Sequence, residues 1–180
     1  MIEKEIIDVK NAKLLGIGGS LSQLASPYSA LAGVIVLYIA MRKLSVALGK
    51  KKIADDFLLA LIVSFIVVLL ALIIVLLFPF LLTIFTYTNF PYWLMITLPF
   101  LIIWIGLCVS AYFIKRSFST LSDASGEGLF RKAGEYILWG TITMVFLVGI
   151  FVLFIGQIYE VLAFFSLPDS LEISKMPEGG

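Results

Sequence analysis

Glu160 is the residue whose type and setting suggest chemistry first. It lies in Gln157-Ile158-Tyr159-Glu160-Val161-Leu162, directly after 24 residues, Tyr136–Tyr159, that carry no charge. An ionisable group inside an apolar segment marks a proton or cation relay. At the edge of one it marks a carboxylate that snorkels to water. About 20 apolar residues counted from Ile137 already end near Gly156. Glu160 is therefore expected at the outer interface, reaching solvent. Gln157 and Gln23 are the other candidate intramembrane polar groups, and in the relay reading they are its partners. Hydrogen bonds between membrane helices contribute only about 0.6 kcal/mol on average, which favours packing over catalysis for both.

The remaining catalytic vocabulary is thin. The chain has no His and a single Cys. No imidazole base, imidazole metal ligand or Ser-His arrangement can be built, and no disulfide can form within the chain. Cys108 reads as an inert thiol in an apolar helix. Gly16-Ile17-Gly18-Gly19 does not match a phosphate-binding loop, because no strand precedes it. Gly18, Ser22 and Ser26 recur every four residues and read, with Gly16, as a small-residue ridge for close helix packing. Gly106 with Ser110, and Gly149 with Gly156, are further small-residue positions of this kind. Pro27, Pro79 and Pro99 are candidate hinges or kinks. The expectation is a non-enzyme with no cofactor and no metal site.

The elements that must position these residues follow from composition. Of 180 residues, 61% are apolar and 14% charged, and the mean hydropathy is +1.10. A soluble domain of this size needs a polar shell that such a composition cannot supply. The formal charge of +1 gives no basic face for nucleic acid. An integral membrane protein remains, with the lipid bilayer as its first partner.

Charge-free runs set the spans. Phe57–Ile114 is 58 residues without a charge, enough for two helices, 57–85 and 92–114, around the breaker Thr86-Tyr87-Thr88-Asn89-Phe90-Pro91. Tyr136–Tyr159 predicts one further span, 136–165. Leu14–Met41 is divided by Pro27 into 14–26 and 28–41, either one kinked span or a short helical hairpin. Residues 42–56 and 115–135 carry nine Lys and Arg and fall on one side by parity. The positive-inside rule makes that side cytoplasmic. A hairpin at Pro27 also brings Lys4, Lys10 and Lys13 inside, a split of 12 to 1 against 9 to 4 for a single span. The hairpin is preferred. In 115–135, Phe118 and Leu121 are expected to continue a helix along the surface, with Ser125 capping the next.

The reading is thus an all-α polytopic membrane protein of about five segments. Residues 1–13 form a retained cytoplasmic leader, 14–168 one helical membrane domain, and 169–180 a polar tail outside. The function that fits is an accessory or scaffold subunit of the plasma membrane, bound to another membrane protein or to itself. The alternative is a small oligomeric transporter or channel with a polar path along Glu160, Gln157 and Gln23.

Several stretches resemble a known family. They are Leu14-Leu15-Gly16-Ile17-Gly18-Gly19-Ser20, the Pro27-Tyr28 break, Arg42-Lys43-Leu44-Ser45, Gly128-Leu129-Phe130-Arg131-Lys132-Ala133-Gly134 and Ala163-Phe164-Phe165-Ser166-Leu167-Pro168. Together they are similar to the mostly archaeal membrane proteins grouped as domain of unknown function 996. The resemblance implies a helical protein of an archaeal plasma membrane. It transfers no activity and no catalytic residues.

Overall fold

The computed structural model describes residues 4–25, 27–87 and 92–174. Six α-helices dominate: α1 (Lys10–Ala25), α2 (Pro27–Ala47), α3 (Lys51–Tyr87), α4 (Tyr92–Ser125), α5 (Gly128–Thr143) and α6 (Val148–Ser166). Two short strands, β1 (Lys4–Asp8) and β2 (Ser170–Ser174), bracket them. The strands pair antiparallel, Lys4 opposite Ser174 and Asp8 opposite Ser170.

The helices form three hairpins, each closed by small residues. Between α1 and α2, a Cβ on Gly19 would stand 2.8 Å from the Gly33 carbonyl oxygen, so only bare backbone fits. Between α3 and α4, Ser117 Oγ donates to the Ile53 carbonyl at 2.7 Å and Ser110 Oγ donates to Ala60 at 3.0 Å. Ser64 and Ser110 share a 2.7 Å hydrogen bond, and Val67 fills the notch at Gly106. Between α5 and α6, a Cβ on Gly140 would meet Leu153 N at 2.6 Å, and Gly156 lies against the backbone of Ile137.

Neighbouring hairpins are joined by tight turns. Gly49 and Gly126 end α2 and α4 at φ of 62° and 76°, a left-handed conformation that Gly adopts without steric cost. Glu127, rather than Ser125, caps α5 by accepting from Leu129 N at 3.1 Å. These turns set α2 beside α3 and α4 beside α5. α6 then packs back on α1, closing a ring of six helices.

The core sits at one end of that ring, where the turns and the sheet lie. Phe118, Phe130 and Phe164 are fully buried there. Their rings meet edge to face in sequence, with centroids 6.0 and 5.0 Å apart. Phe118 and Leu121 thus belong to the core and do not lie along a surface. All twelve described Lys and Arg residues cluster toward this end. The opposite halves of the hairpins expose large apolar side chains such as Phe65, Leu76, Phe80, Trp93, Phe146 and Phe151.

Among the described residues, three stretches are long and apolar enough to cross a membrane: Lys51–Phe80, Thr97–Ser125 and Val148–Ser166. α1 and α5 have 16 residues each and reach only about 24 Å at 1.5 Å per residue.

Two expectations are corrected. The segment 136–165 is not one helix. It is the end of α5, a 3-10 turn at Met144–Phe146 and most of α6. The chain reverses because Gly140 and Gly149 let the two backbones touch, and because Leu147, at φ 60°, turns it. The stretch 169–174 is therefore not at the end opposite the charged loops. The extra reversal returns it to the packed end, where Val9 N donates to Asp169 O at 3.0 Å. The leader and the tail contain the two strands.

Candidate functional site

The seam where α6 meets α1 carries the candidate polar groups. The helices run antiparallel in a register fixed by three contacts. Lys13 Nζ lies 3.0 Å from Asp169 Oδ1. Phe164 covers Gly16, whose missing side chain leaves room for the ring. Ser20 Oγ donates to Glu160 Oε1 at 2.6 Å. Gln23 lies one turn beyond Ser20 on α1, and Gln157 one turn before Glu160 on α6.

Glu160 is only 4% exposed, and it lies six residues from the charged end of α6. It therefore does not reach solvent as expected, and the reversal at 144–147 brings it toward the charged end rather than the end opposite the charged loops. Among the described residues no Lys or Arg pairs with it, and the Ser20 hydroxyl is its hydrogen-bond donor. Gln23 Nε2 is buried without a hydrogen-bond partner. Gln157 is half-buried beside it in the sequence of the seam. No group of three or more His, Cys, Asp or Glu side chains converges among the described residues.

The other expected positions are distributed around the ring. Gly16 and Gly19 face neighbouring helices, and Ser22 lies against Gly33. Gly18 does not: nothing lies within 4 Å of where its Cβ would be, and its carbonyl accepts from Ser22 Oγ at 2.7 Å. The packing face of α1 is thus turned away from Gly18, because Gly16 meets α6 while Gly19 and Ser22 meet α2. Ser26 lies outside the described residues. Gly149 and Gly156 lie on the α5 side of α6. Pro27 opens α2, while Pro79 and Pro99 lie inside unbroken helices.

A second buried charge escaped the sequence reading. Asp56 on α3 is 4% exposed, and Arg116 Nε on α4 stands 3.0 Å from its Oδ2. The contact is ionic, with an angle too bent for a hydrogen bond. Both residues look like loop charges in the sequence. The signal was their position at the two ends of one charge-free run, which a hairpin must bring together.

A groove of about 550 Å³ lies outside the ring, lined by Tyr38, Arg42, Lys43 and Val46 of α2 with Val9 and Ala12. Tyr136 and Tyr159 stack at 5.1 Å and line a smaller one with Lys132 and Glu135.

The fold and seam define a class: helical proteins built to lie in a bilayer, with apolar helices outside and a few polar groups between them. Within it, the chain belongs to the family described as Protein of unknown function (DUF996), whose model matches residues 29–158. It is also similar to an uncharacterized protein of Methanocaldococcus jannaschii, at 29% identity over 92% of this chain and 97% of the relative. No solved structure matches it.

Proposed function

We propose that this chain is a non-enzymatic, multi-pass protein of the plasma membrane that serves as an accessory or scaffold subunit. Its packed end faces the cytoplasm. The observation that carries the orientation is the clustering of all twelve described Lys and Arg residues at that end. Cytoplasmic loops carry such an excess. The reversal at 144–147 supports residues 169–174 on the same side.

The scaffold role rests on how burial is distributed. The helices bind one another tightly at the charged end and leave long apolar flanks open beyond it. In a bilayer those flanks meet lipid or the helices of a neighbour, where small residues and shape decide association. The second reading, a small oligomeric transporter or channel, is favoured by Glu160 lying inside the seam.

Single-cysteine labelling tests the orientation. In a Cys108→Ser background, cysteines at Lys51, Gly128 and Ser170 should resist a membrane-impermeant thiol reagent in intact cells. Cysteines at Asn89 and Phe146 should react. Labelling at Ser170 alone among the first three restores an odd number of crossings. Labelling at Lys51 and Gly128 inverts the protein. Native mass measurement after mild extraction tests the role: a second membrane chain at fixed stoichiometry supports the scaffold, and a pure homo-oligomer supports transport.

A further inference from the structure

We propose that the α1–α6 seam is an intramembrane seat for one monovalent cation, a proton or an alkali ion, held on Glu160 and entered from the charged end. The inference rests on the membrane reading and on neither role above, and cysteine labelling tests that reading separately.

The first observation is an incomplete charge balance. Glu160 is 4% exposed and has no Lys or Arg partner among the described residues. Its one hydrogen bond, from Ser20 Oγ, engages Oε1 alone. A carboxylate with a single hydroxyl for company is costly in a low-dielectric interior, so its charge must be neutralised, by a proton or by a bound cation. Arg116 is the cation beside Asp56. At Glu160 the described residues provide no counterpart.

The second observation is independent. Gln23 Nε2, one turn from Ser20, is buried without a hydrogen-bond partner among the described residues. Gln157 lies one turn from Glu160 on α6. Each amide carries both donors and an acceptor, and so can orient a water or an ion beside the carboxylate. An unmade hydrogen bond at a buried amide costs about 1–3 kcal/mol, a cost that a bound water or ion removes.

The third is access. Glu160 lies six residues from the end of α6, about 9 Å along the axis. Asp169, exposed and paired with Lys13, stands at that mouth. On the α5 side, the titratable groups packed along α6 are Tyr136, stacked on Tyr159, with Glu135 and Lys132 in the same groove. None of these is an ion-pair partner of Glu160.

The test is labelling of the full chain in phosphatidylcholine vesicles with N,N′-dicyclohexylcarbodiimide, which forms an adduct with a protonated carboxyl in apolar surroundings. Intact mass and peptide mapping read the result. One adduct at Glu160 is expected, with a rate that falls at least about tenfold between about pH 5 and about pH 9 as the carboxyl ionises, and no adduct in Glu160→Gln. Protection by sodium or potassium chloride, but not choline chloride, identifies an alkali ion as occupant. Protection by raised pH alone identifies the proton. Absence of an adduct at every pH, or a rate independent of pH and salt, overturns the proposal. Should Glu160→Gln fail to fold, Ser20→Ala keeps the test sharp. Loss of the hydroxyl should change the labelling rate several-fold, and an unchanged rate overturns the proposal as well.

Discussion

The hairpins α3–α4 and α5–α6 arise from charge-free runs and yet are built differently. The α3–α4 arms have 37 and 34 residues, about 55 and 51 Å. They are joined by serine hydroxyls on backbone carbonyls and by the Asp56–Arg116 ion pair. The α5–α6 arms have 16 and 19 residues and are joined by glycines. The sequence between the first pair holds Asn89-Phe90-Pro91, a conventional breaker. The second reverses at Met144-Val145-Phe146-Leu147, which contains none. Two backbone hydrogen bonds close it: Leu147 N donates to Met144 O at 3.0 Å and Ile150 N to Leu147 O at 3.1 Å. The contrast teaches that glycine contact, as much as a breaker residue, decides where a membrane helix folds back.

Graded substitutions put that contrast at risk. Gly149→Ala should have the largest effect, because the added carbon runs into Met144 N and Gly140 O, which are backbone and cannot give way. A loss on the order of 3 kcal/mol is expected, read as a large fall in thermal midpoint in detergent. Gly106→Ala meets only the far end of the Val67 side chain and should cost about 1 kcal/mol. Equal losses at the two positions would erase the distinction between the hairpins. Leu147→Gly should stabilise the second hairpin by about 1 kcal/mol, since φ of 60° strains any residue with a Cβ. A fall in midpoint would show that the side chain, not the backbone, holds the turn. Gly18→Ala should change stability by no more than about 0.5 kcal/mol, for it meets nothing. A larger loss would restore Gly18 to the packing face.

Much of the helical layout was legible because it is local. Pro27 announces the boundary between α1 and α2, and Asn89-Phe90-Pro91 the end of the central pair. Residues 136–159 were not, since 24 apolar residues satisfy the length of one span. That single missed reversal propagated through parity. It placed residues 169–174 on the wrong end and carried Glu160 with them to the outer interface. α1 was legible in part, through Gly16 as a packing position and Gln23 as a polar one. Its partner was not, because pairing Ser20 with Glu160 spans 140 residues and no local pattern encodes the return of α6. The strands are illegible for the same reason: five residues each, paired across nearly the whole chain.

The pairing of β1 with β2 has a consequence for biosynthesis. β1 leaves the ribosome early and β2 late, so the strand partners cannot meet until α6 has been made. Hairpins that depend on sequence neighbours can form as they emerge, and α1–α2 and α3–α4 are of that kind. The α1–α6 contact must wait, and contacts between distant segments form slowly for the entropy they cost. Until α6 has been made, Ser20 and Gln23 stand on an open edge of an unfinished circle. The seam is therefore the clasp of the molecule, closed last in assembly, and Glu160 enters its pocket only as the circle shuts.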